Sequence, residues 1–241
     1  ELAAVIGSGY DSRSKDLDLA SPLEAQDRFG VAVSLDYDST LNRHRLAVVA
    51  RDDEGEGDAA GSVETGAVYL FTFTDDSFSG ASHVGNIGHS YDTTASDFDL
   101  RITSTQSWGG SLTSVALEGN YLAVGASRST VTAANDGQVE LFSFTNNTAA
   151  TQFNNIVNEG TLCTPCSADA QDVAVVPETG QTLANGDAFG FAVSLNGNRL
   201  VVGANEGDGA NSGGNAESGE VHIFPITHYE VSDAVFATNS S

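Results

Sequence analysis

The sequence predicts an all-β protein assembled from three copies of one structural unit. The motif Phe-Gly-x-x-Val-Ser-Leu begins at Phe29 and again at Phe189, and these two copies lie 160 positions apart. A related copy lies between them, in which Trp108-Gly109 replaces the Phe-Gly pair and Val115-Ala116-Leu117 follows after a short insertion. Because self-similarity at a fixed period is the signature of a repeat architecture, two periods of roughly eighty residues account for this spacing.

Each copy contains three segments with the pattern of β-strands. In the first segment Val31, Val33 and Leu35 alternate with small residues, and a period of two is typical of a strand with one buried face. Asn196-Gly197 separates two apolar runs, which is a strong signal of a β-hairpin. A glycine before the last alanine of the second segment, as in Gly203-Ala204, is expected to let strands approach closely. No segment has a helical period, so we expect four or five short strands per repeat. The second and third segments of the copies are Leu46–Ala50, Leu122–Ala126, Leu200–Ala204, Gly66–Phe73, Gly137–Phe144 and Gly219–Phe224.

The segments that join the copies repeat as well. Ile6–Asp11 matches Ile87–Asp92, and Asp16–Leu19 matches Asp97–Leu100, each pair being 81 positions apart. We therefore expect a single repeat region. Its predicted parts are repeat one at 1–80, repeat two at 81–148, repeat three at 149–226, and a C-terminal strand and tail at 227–241.

The charge balance excludes several classes of partner. The chain has 33 Asp and Glu residues against 9 Lys and Arg residues, a formal net charge of -24. Binding to DNA or RNA needs a basic surface that neutralises phosphates, and docking on anionic lipids needs the same, so neither is expected. No run approaches the eighteen apolar residues of a transmembrane helix, so no membrane insertion is expected either.

The three landmarks occur in a fixed order that resembles the FG-GAP repeat. This is the β-propeller repeat of integrin alpha subunits and of many large secreted bacterial repeat proteins. The resemblance runs from about Ala3 to Phe224 and rests on the Phe-Gly motif, on Leu-Val-Val-Gly-Ala and on Gly-x-Val-x-x-Phe. It implies a β-propeller-like array of about three blades, each of four to five strands, in an extracellular or cell-surface protein.

The resemblance also implies the function. We expect a secreted or cell-surface structural or adhesive protein that associates with a protein partner or with itself, with filaments as one form of self-association. The alternative is a calcium-assisted propeller domain that binds glycans or another ligand. We expect no enzymatic activity, because the chain contains no Gly-x-Ser-x-Gly elbow, no His-Glu-x-x-His and no P-loop. The paired carboxylates Asp16/Asp18 and Asp97/Asp99 recur with the repeat, and they are expected to line an exposed face or to bind ions between units.

Two acidic loops are candidate calcium sites. In integrins calcium binds in an Asp-rich turn between the first two strands of a blade, but the corresponding turn here, Asp36–Thr40, lacks a closing acidic residue. The acidic residues lie in the next loop, and calcium prefers six to eight oxygen ligands. The alternative is a solvated acidic loop that protects a strand edge. Repeat two has Ser127-Arg128-Ser129 at this place, so it is not expected to bind calcium. The candidate ligands are Asp52, Asp53, Glu54, Glu56 and Asp58 in repeat one, and Asn205, Glu206 and Asp208 in repeat three.

Three further predictions concern single residues. Cys163 and Cys166 are the two cysteines of the chain, and a disulfide between them is expected outside the cell. Asn146 and Asn239 match the pattern for N-glycosylation. Trp108 stands at the Phe position of the motif, so core packing is expected rather than a platform for sugars.

Both ends of the repeat region have unmatched strands. The first joining segment precedes the first complete unit, and 229–236 stands where the next copy of that segment would begin. An unpaired strand edge is open to pairing. The N-terminal strand would complete the last blade of its own chain, complete a blade of a neighbour, or belong to a longer array. Because a ring of three repeats would be unusually small, self-association or a longer parent is favoured over a closed monomer.

Overall fold

A computed structural model of the chain describes residues 3–19, 23–56, 64–94, 96–100, 108, 111–129, 137–145, 153–163, 173–174, 186–208 and 218–226. These residues form β-strands joined by turns and loops, with no helix among them, so the prediction of an all-β fold is confirmed. None of them belongs to a helix that is long and apolar enough to span a membrane.

The strands form three main sheets and one small parallel pair. The pair consists of β1 (Ile6–Gly7) and β2 (Leu17–Asp18). Sheet one has the order β3 (Phe29–Asp38), β4 (Arg43–Ala50), β5 (Ala67–Thr72), β6 (Ser82–Gly88) and β7 (Phe98–Asp99). Sheet two contains β8 (Leu112–Glu118), β9 (Tyr121–Ala126), β10 (Gln138–Thr145), β11 (Asn154–Cys163) and β12 (Val173–Ala174), in that order. Sheet three contains β13 (Phe189–Asn196), β14 (Arg199–Ala204) and β15 (Glu220–Pro225).

The three sheets share one topology. The first four strands of sheets one and two pair antiparallel in chain order, and the short fifth strand pairs parallel with the fourth. Because the fourth strand of sheet one is β6 at Ser82–Gly88, that sheet extends past residue 80 into the segment assigned to repeat two. Sheet three has its first three strands within the described residues.

Strand register shows that the copies are structurally equivalent. Val33 is paired with Val48 in sheet one, and Val115 with Val124 in sheet two. The corresponding pair in sheet three is Val193 and Val202. A position in one sheet can therefore be compared directly with its equivalents in the other two.

The sheets stack face to face in chain order, with sheet two in the middle. One apolar core lies between sheets one and two and includes Val68, Leu70, Val115 and Leu117. A second core lies between sheets two and three. Its members include Val139, Leu141, Leu162, Phe189, Leu200 and Val202. Each core is formed by the inner faces of two sheets, as in other packed β-structures.

A third core lies on the outer face of sheet one. Leu19, which follows β2, packs there with Tyr69 and Phe71, and Ile6 and Leu17 lie at its margin. The β1–β2 pair therefore covers sheet one as β6–β7 covers sheet two, where Phe98 stacks edge-on against Phe142 at 5.6 Å between ring centroids.

Candidate functional site

The acidic loop of the first repeat begins with a carboxylate that is already paired with arginines. Asp52 follows β4 and is buried. Its two carboxylate oxygens lie 2.7 Å from Nε of Arg28 and 3.0 Å from Nε of Arg51. Both oxygens therefore have a cationic partner within the chain.

Asp53 also turns inward, against two tyrosines. Its Oδ2 accepts a hydrogen bond from the Tyr69 hydroxyl at 2.7 Å, and the Tyr91 hydroxyl lies 3.0 Å from Oδ1. The Gly55 amide donates to Oδ1 at 2.8 Å. Burial raises the pKa of the Asp53 carboxyl, although these donors counteract the rise. Burial beside this carboxylate also raises the pKa of both tyrosines, so both hydroxyls stay protonated as donors.

The predicted calcium ligands are not drawn into one cluster where the structure describes them. In those parts of the chain, no three His, Cys, Asp or Glu side chains come together in a way that could hold a metal ion. In the third repeat the Glu206 carboxylate lies 3.3 Å from Nη2 of Arg128 in repeat two. Asp58 lies outside the described residues, as do 209–217 beyond Asp208. Calcium binding at these loops therefore stays a prediction.

The recurring aspartate pairs hold the joining segments in place. Asp16 accepts a hydrogen bond from the Val5 amide at 2.8 Å, and Asp97 accepts one from the Asn86 amide at 2.8 Å. The second aspartates repeat this arrangement.

Asp18 accepts from the Gly9 amide at 2.6 Å and Asp99 from the Ser90 amide at 2.9 Å. The Asp-x-Asp motif therefore binds the strand and the turn that precede it. Its recurrence has a structural cause.

Trp108 is a core residue, as expected. Its side chain is buried, and its Nε1 donates to the buried Glu140 carboxylate at 2.9 Å. Cys163 is buried at the end of β11, whereas Cys166 lies outside the described residues, so the disulfide between them stays a prediction. Asn146 and Asn239 also lie outside the described residues.

The inner strand of sheet one exposes apolar residues that are buried in sheet two. Val33 is 62% exposed, although its equivalent Val115, which faces sheet one, is 7% exposed. Leu35 is 50% exposed and its equivalent Leu117 is 5% exposed. We call Val33 and Leu35 the leading face. In the part of the chain that the structure describes, it lacks the neighbour that sheet one provides for sheet two.

Sheet three exposes apolar residues on its opposite side. Val221 is 69% exposed, whereas its equivalents Val68 and Val139 are fully buried against the next sheet. Ile223 is likewise 67% exposed. We call Val221 and Ile223 the trailing face. Because both terminal faces are open, the described residues form a stack of three sheets and do not close a ring.

Two strand edges are open in the same way. Among the described residues β15 pairs only with β14, and β1 pairs only with β2. In sheet one the equivalents of β15 and β1, which are β5 and the end of β6, pair with each other. The two halves of a complete sheet are thus present at opposite ends of the described chain.

Comparison with known families identifies the repeat. Residues 181–224 match the FG-GAP repeat family. The third copy is thus similar to an FG-GAP repeat. The match includes β13, β14 and most of β15, whose register is shared with the other two sheets. A search of curated proteins found no match to the chain. An FG-GAP repeat indicates a β-propeller-like domain for protein interactions.

The sequence did not indicate the role of Tyr91. It belongs to the Ile-Gly-x-x-Tyr-Asp segment that joins the first two repeats, and its hydroxyl contacts Asp53, which is 38 positions away. The recurrence of Tyr10 and Tyr91 at the same place in two joiners was the available signal. Tyr91 is 2% exposed and Tyr10 is 48% exposed.

Proposed function

We propose that the chain is a secreted or cell-surface, structural or adhesive domain that associates with a protein partner or with itself. The supporting observation is that β15 has no partner on its outer edge among the described residues, and that its Val221 and Ile223 expose apolar side chains. Strand edges and contiguous apolar surfaces are the features through which β-proteins join other chains. The FG-GAP resemblance supports an extracellular location, and the net charge of -24 is consistent with an exposed acidic surface.

Adhesion between coated beads tests this function. The chain is coupled to microspheres, which are mixed with chain-coated beads and, separately, with intact cells of the organism of origin. We expect beads to cluster with each other or to bind the cells, and we expect a chelator to leave this adhesion unchanged. Beads coated with the Val157→Asp variant control for the effect of an added charge, because Val157 is an exposed valine on β11 that lies away from the terminal faces.

Two results would contradict the proposal. Beads that adhere to neither surface would show that the chain has no adhesive function. Adhesion only to glycan-coated beads, and only in the presence of calcium, would favour the ligand-binding propeller domain instead.

A further inference from the structure

We propose that copies of this chain join head to tail, with the trailing face of one copy on the leading face of the next. In this contact the β1–β2 pair of the second copy completes sheet three of the first. The inference rests on the proposed function and names the partner, the two faces and their polarity.

The internal contacts of the chain provide the template for this interface. In sheet two, Val115 and Leu117 pack against the side of sheet one that carries Val68 and Leu70. Val33 and Leu35 of the leading face are the equivalents of Val115 and Leu117. Val221 and Ile223 of the trailing face are the equivalents of Val68 and Leu70. The two exposed faces are therefore the two sides of a contact that the chain already makes between its own sheets.

The β1–β2 pair already lies where a pair of strands that completes the sheet of a neighbouring copy must lie. Leu19 packs on the outer face of sheet one, as Leu100 packs against the core shared with sheet two. The Leu17 amide donates to the Val5 carbonyl at 2.9 Å and the Leu19 amide to the Gly7 carbonyl at 3.0 Å. Because hydrogen-bonding groups alternate along a strand, the backbone groups of the intervening residue of β1 point to the opposite edge.

That residue is Ile6, and its equivalent in sheet one shows what it would meet. Ile87 of β6 pairs with Val68 of β5. By equivalence, Ile6 pairs with Val221 of the neighbouring copy. The same placement brings the exposed Tyr10 over His222, as Tyr91 lies over Tyr69 with ring centroids 6.4 Å apart.

A glycine position supports the order of the two copies. A side chain at Gly125 would overlap the carbonyl of Gly190, so the Phe-Gly turn of sheet three needs a glycine on the preceding sheet. The equivalent position in sheet one is the buried Val49, and in the sheet that follows it Leu112-Thr113 stands where Phe-Gly stands in sheets one and three, because Leu112 pairs with Ala126 as Phe29 pairs with Ala50 and Phe189 with Ala204. The position in sheet three is again a glycine, Gly203, where an added Cβ would have 3.6 Å to its nearest neighbour.

Sheet three therefore has a glycine, Gly203, at the place where a Phe-Gly turn of a following sheet would approach. The turn at the leading face is Phe29-Gly30, and Gly30 has a φ of 94°, close to the 89° of Gly190. The trailing face thus has room for the Phe29-Gly30 turn of the leading face, which the inner face of sheet two would not fill. This points to a second copy as the occupant.

Two copies would bring together six such sheets, within the range of about four to eight blades found in propellers. A head-to-tail contact gives a ring if the rotation closes and a filament if it does not. The polarity of the contact is the same in both, so the test is directed at polarity.

Complementary blocked variants test the polarity. Val33→Asp blocks the leading face and Ile223→Asp blocks the trailing face. Sedimentation velocity is measured on the wild-type chain, on each variant and on their equimolar mixture. We expect wild-type assemblies, monomeric single variants with association weakened at least about 30-fold, and a one-to-one dimer in the mixture, because one intact leading face then meets one intact trailing face.

Further variants separate loss of assembly from loss of folding. Val157→Asp adds the same charge to an exposed valine elsewhere, and it is expected to assemble like the wild type. Gly203→Ala adds only a methyl group with room in the single chain, so it should keep the wild-type melting temperature and lose assembly.

Three results would overturn the inference. If either single variant still dimerises, like faces pair and the contact is not head to tail. If the mixture stays monomeric while the wild type assembles, another surface is used. If the wild type is monomeric up to about 1 mM, the occupant is not a second copy. The bead assay tests the adhesive function separately, since beads that bind cells would retain that function even when the chain is monomeric.

Discussion

Removing one hydroxyl group, in Tyr91→Phe, tests the packing of the acidic loop. The hydroxyl lies 3.0 and 3.1 Å from the two carboxylate oxygens of the buried Asp53. The ring stays in place, so apolar burial is unchanged and the loss is that of a hydrogen bond to a charged group. Such bonds contribute about 1.5–3 kcal/mol, and we expect the free energy of unfolding to fall by about 2 kcal/mol. For a domain of this size this lowers the melting temperature by about 4–8 °C.

The assay is urea unfolding followed by the fluorescence of Trp108, which is the single tryptophan and lies in the core between sheets one and two. Circular dichroism should give the same transition if unfolding has two states. The matched control is Tyr10→Phe, because Tyr10 holds the same place in the first joiner and is exposed. At concentrations where the chain is monomeric we expect the control to change stability by less than about 0.5 kcal/mol. If the two variants lost the same free energy of unfolding, the reasoning would be refuted, because the loss would then not depend on the contact with Asp53 that only Tyr91 makes.

Other predictions concern the joiner, a glycine and pH. Asp97→Ala removes the acceptor of two backbone amides and should cost about 1.5–3 kcal/mol in urea unfolding, whereas the exposed Asp92→Ala should be neutral. Gly125→Ala, which forces a side chain onto a neighbouring carbonyl, should lower the melting temperature by several degrees, while Gly203→Ala should leave that of the monomer unchanged. Burial raises the folded-state pKa of Asp53 above its ordinary 3.8, so its contribution to stability is present at low pH and lost as the pH rises through the folded pKa. The Asp53→Asn variant should therefore lose part of the gain in stability that the wild type shows as the pH falls from 7 towards 3.8; a parallel pH profile would contradict this.

The repeat period and the strands were predictable because they depend on local patterns. The alternation at Val33 and Leu35, and its copy in the third repeat, placed the inner strands correctly. The same pattern is typical of a strand with one buried face, and burial of that face needs a neighbouring sheet. It could not show that sheet one has no such neighbour among the described residues, because this depends on the number of sheets and not on their period.

The acidic loop was harder to interpret from the sequence. Five carboxylates within seven residues are compatible with a ligand site and with a solvated surface. The structure shows a third use, since Asp52 is paired with Arg28 and Arg51, and Asp53 with tyrosines far along the chain. Those partners are brought close by sheet packing, and no spacing rule contains that information. The Asp-x-Asp joiners had a comparable limit, because their acceptor role depends on a turn whose shape the sequence does not specify.

The residue before the last alanine of the second segment differs among the repeats, as Val49, Gly125 and Gly203, and it determines which sheet can pack next to it. Gly125 leaves room for the Phe-Gly turn of sheet three, and Gly203 leaves comparable room on the trailing face. Val49 instead lies in the core opposite a sheet that has Leu112-Thr113 at the corresponding place. The repeats are therefore not interchangeable modules. An engineered array in the order one-two-three-one-two-three keeps every junction matched. An array of repeat one alone would press a valine against the carbonyl of Gly30 at every step, and duplicates of this unit could persist only after that position had changed.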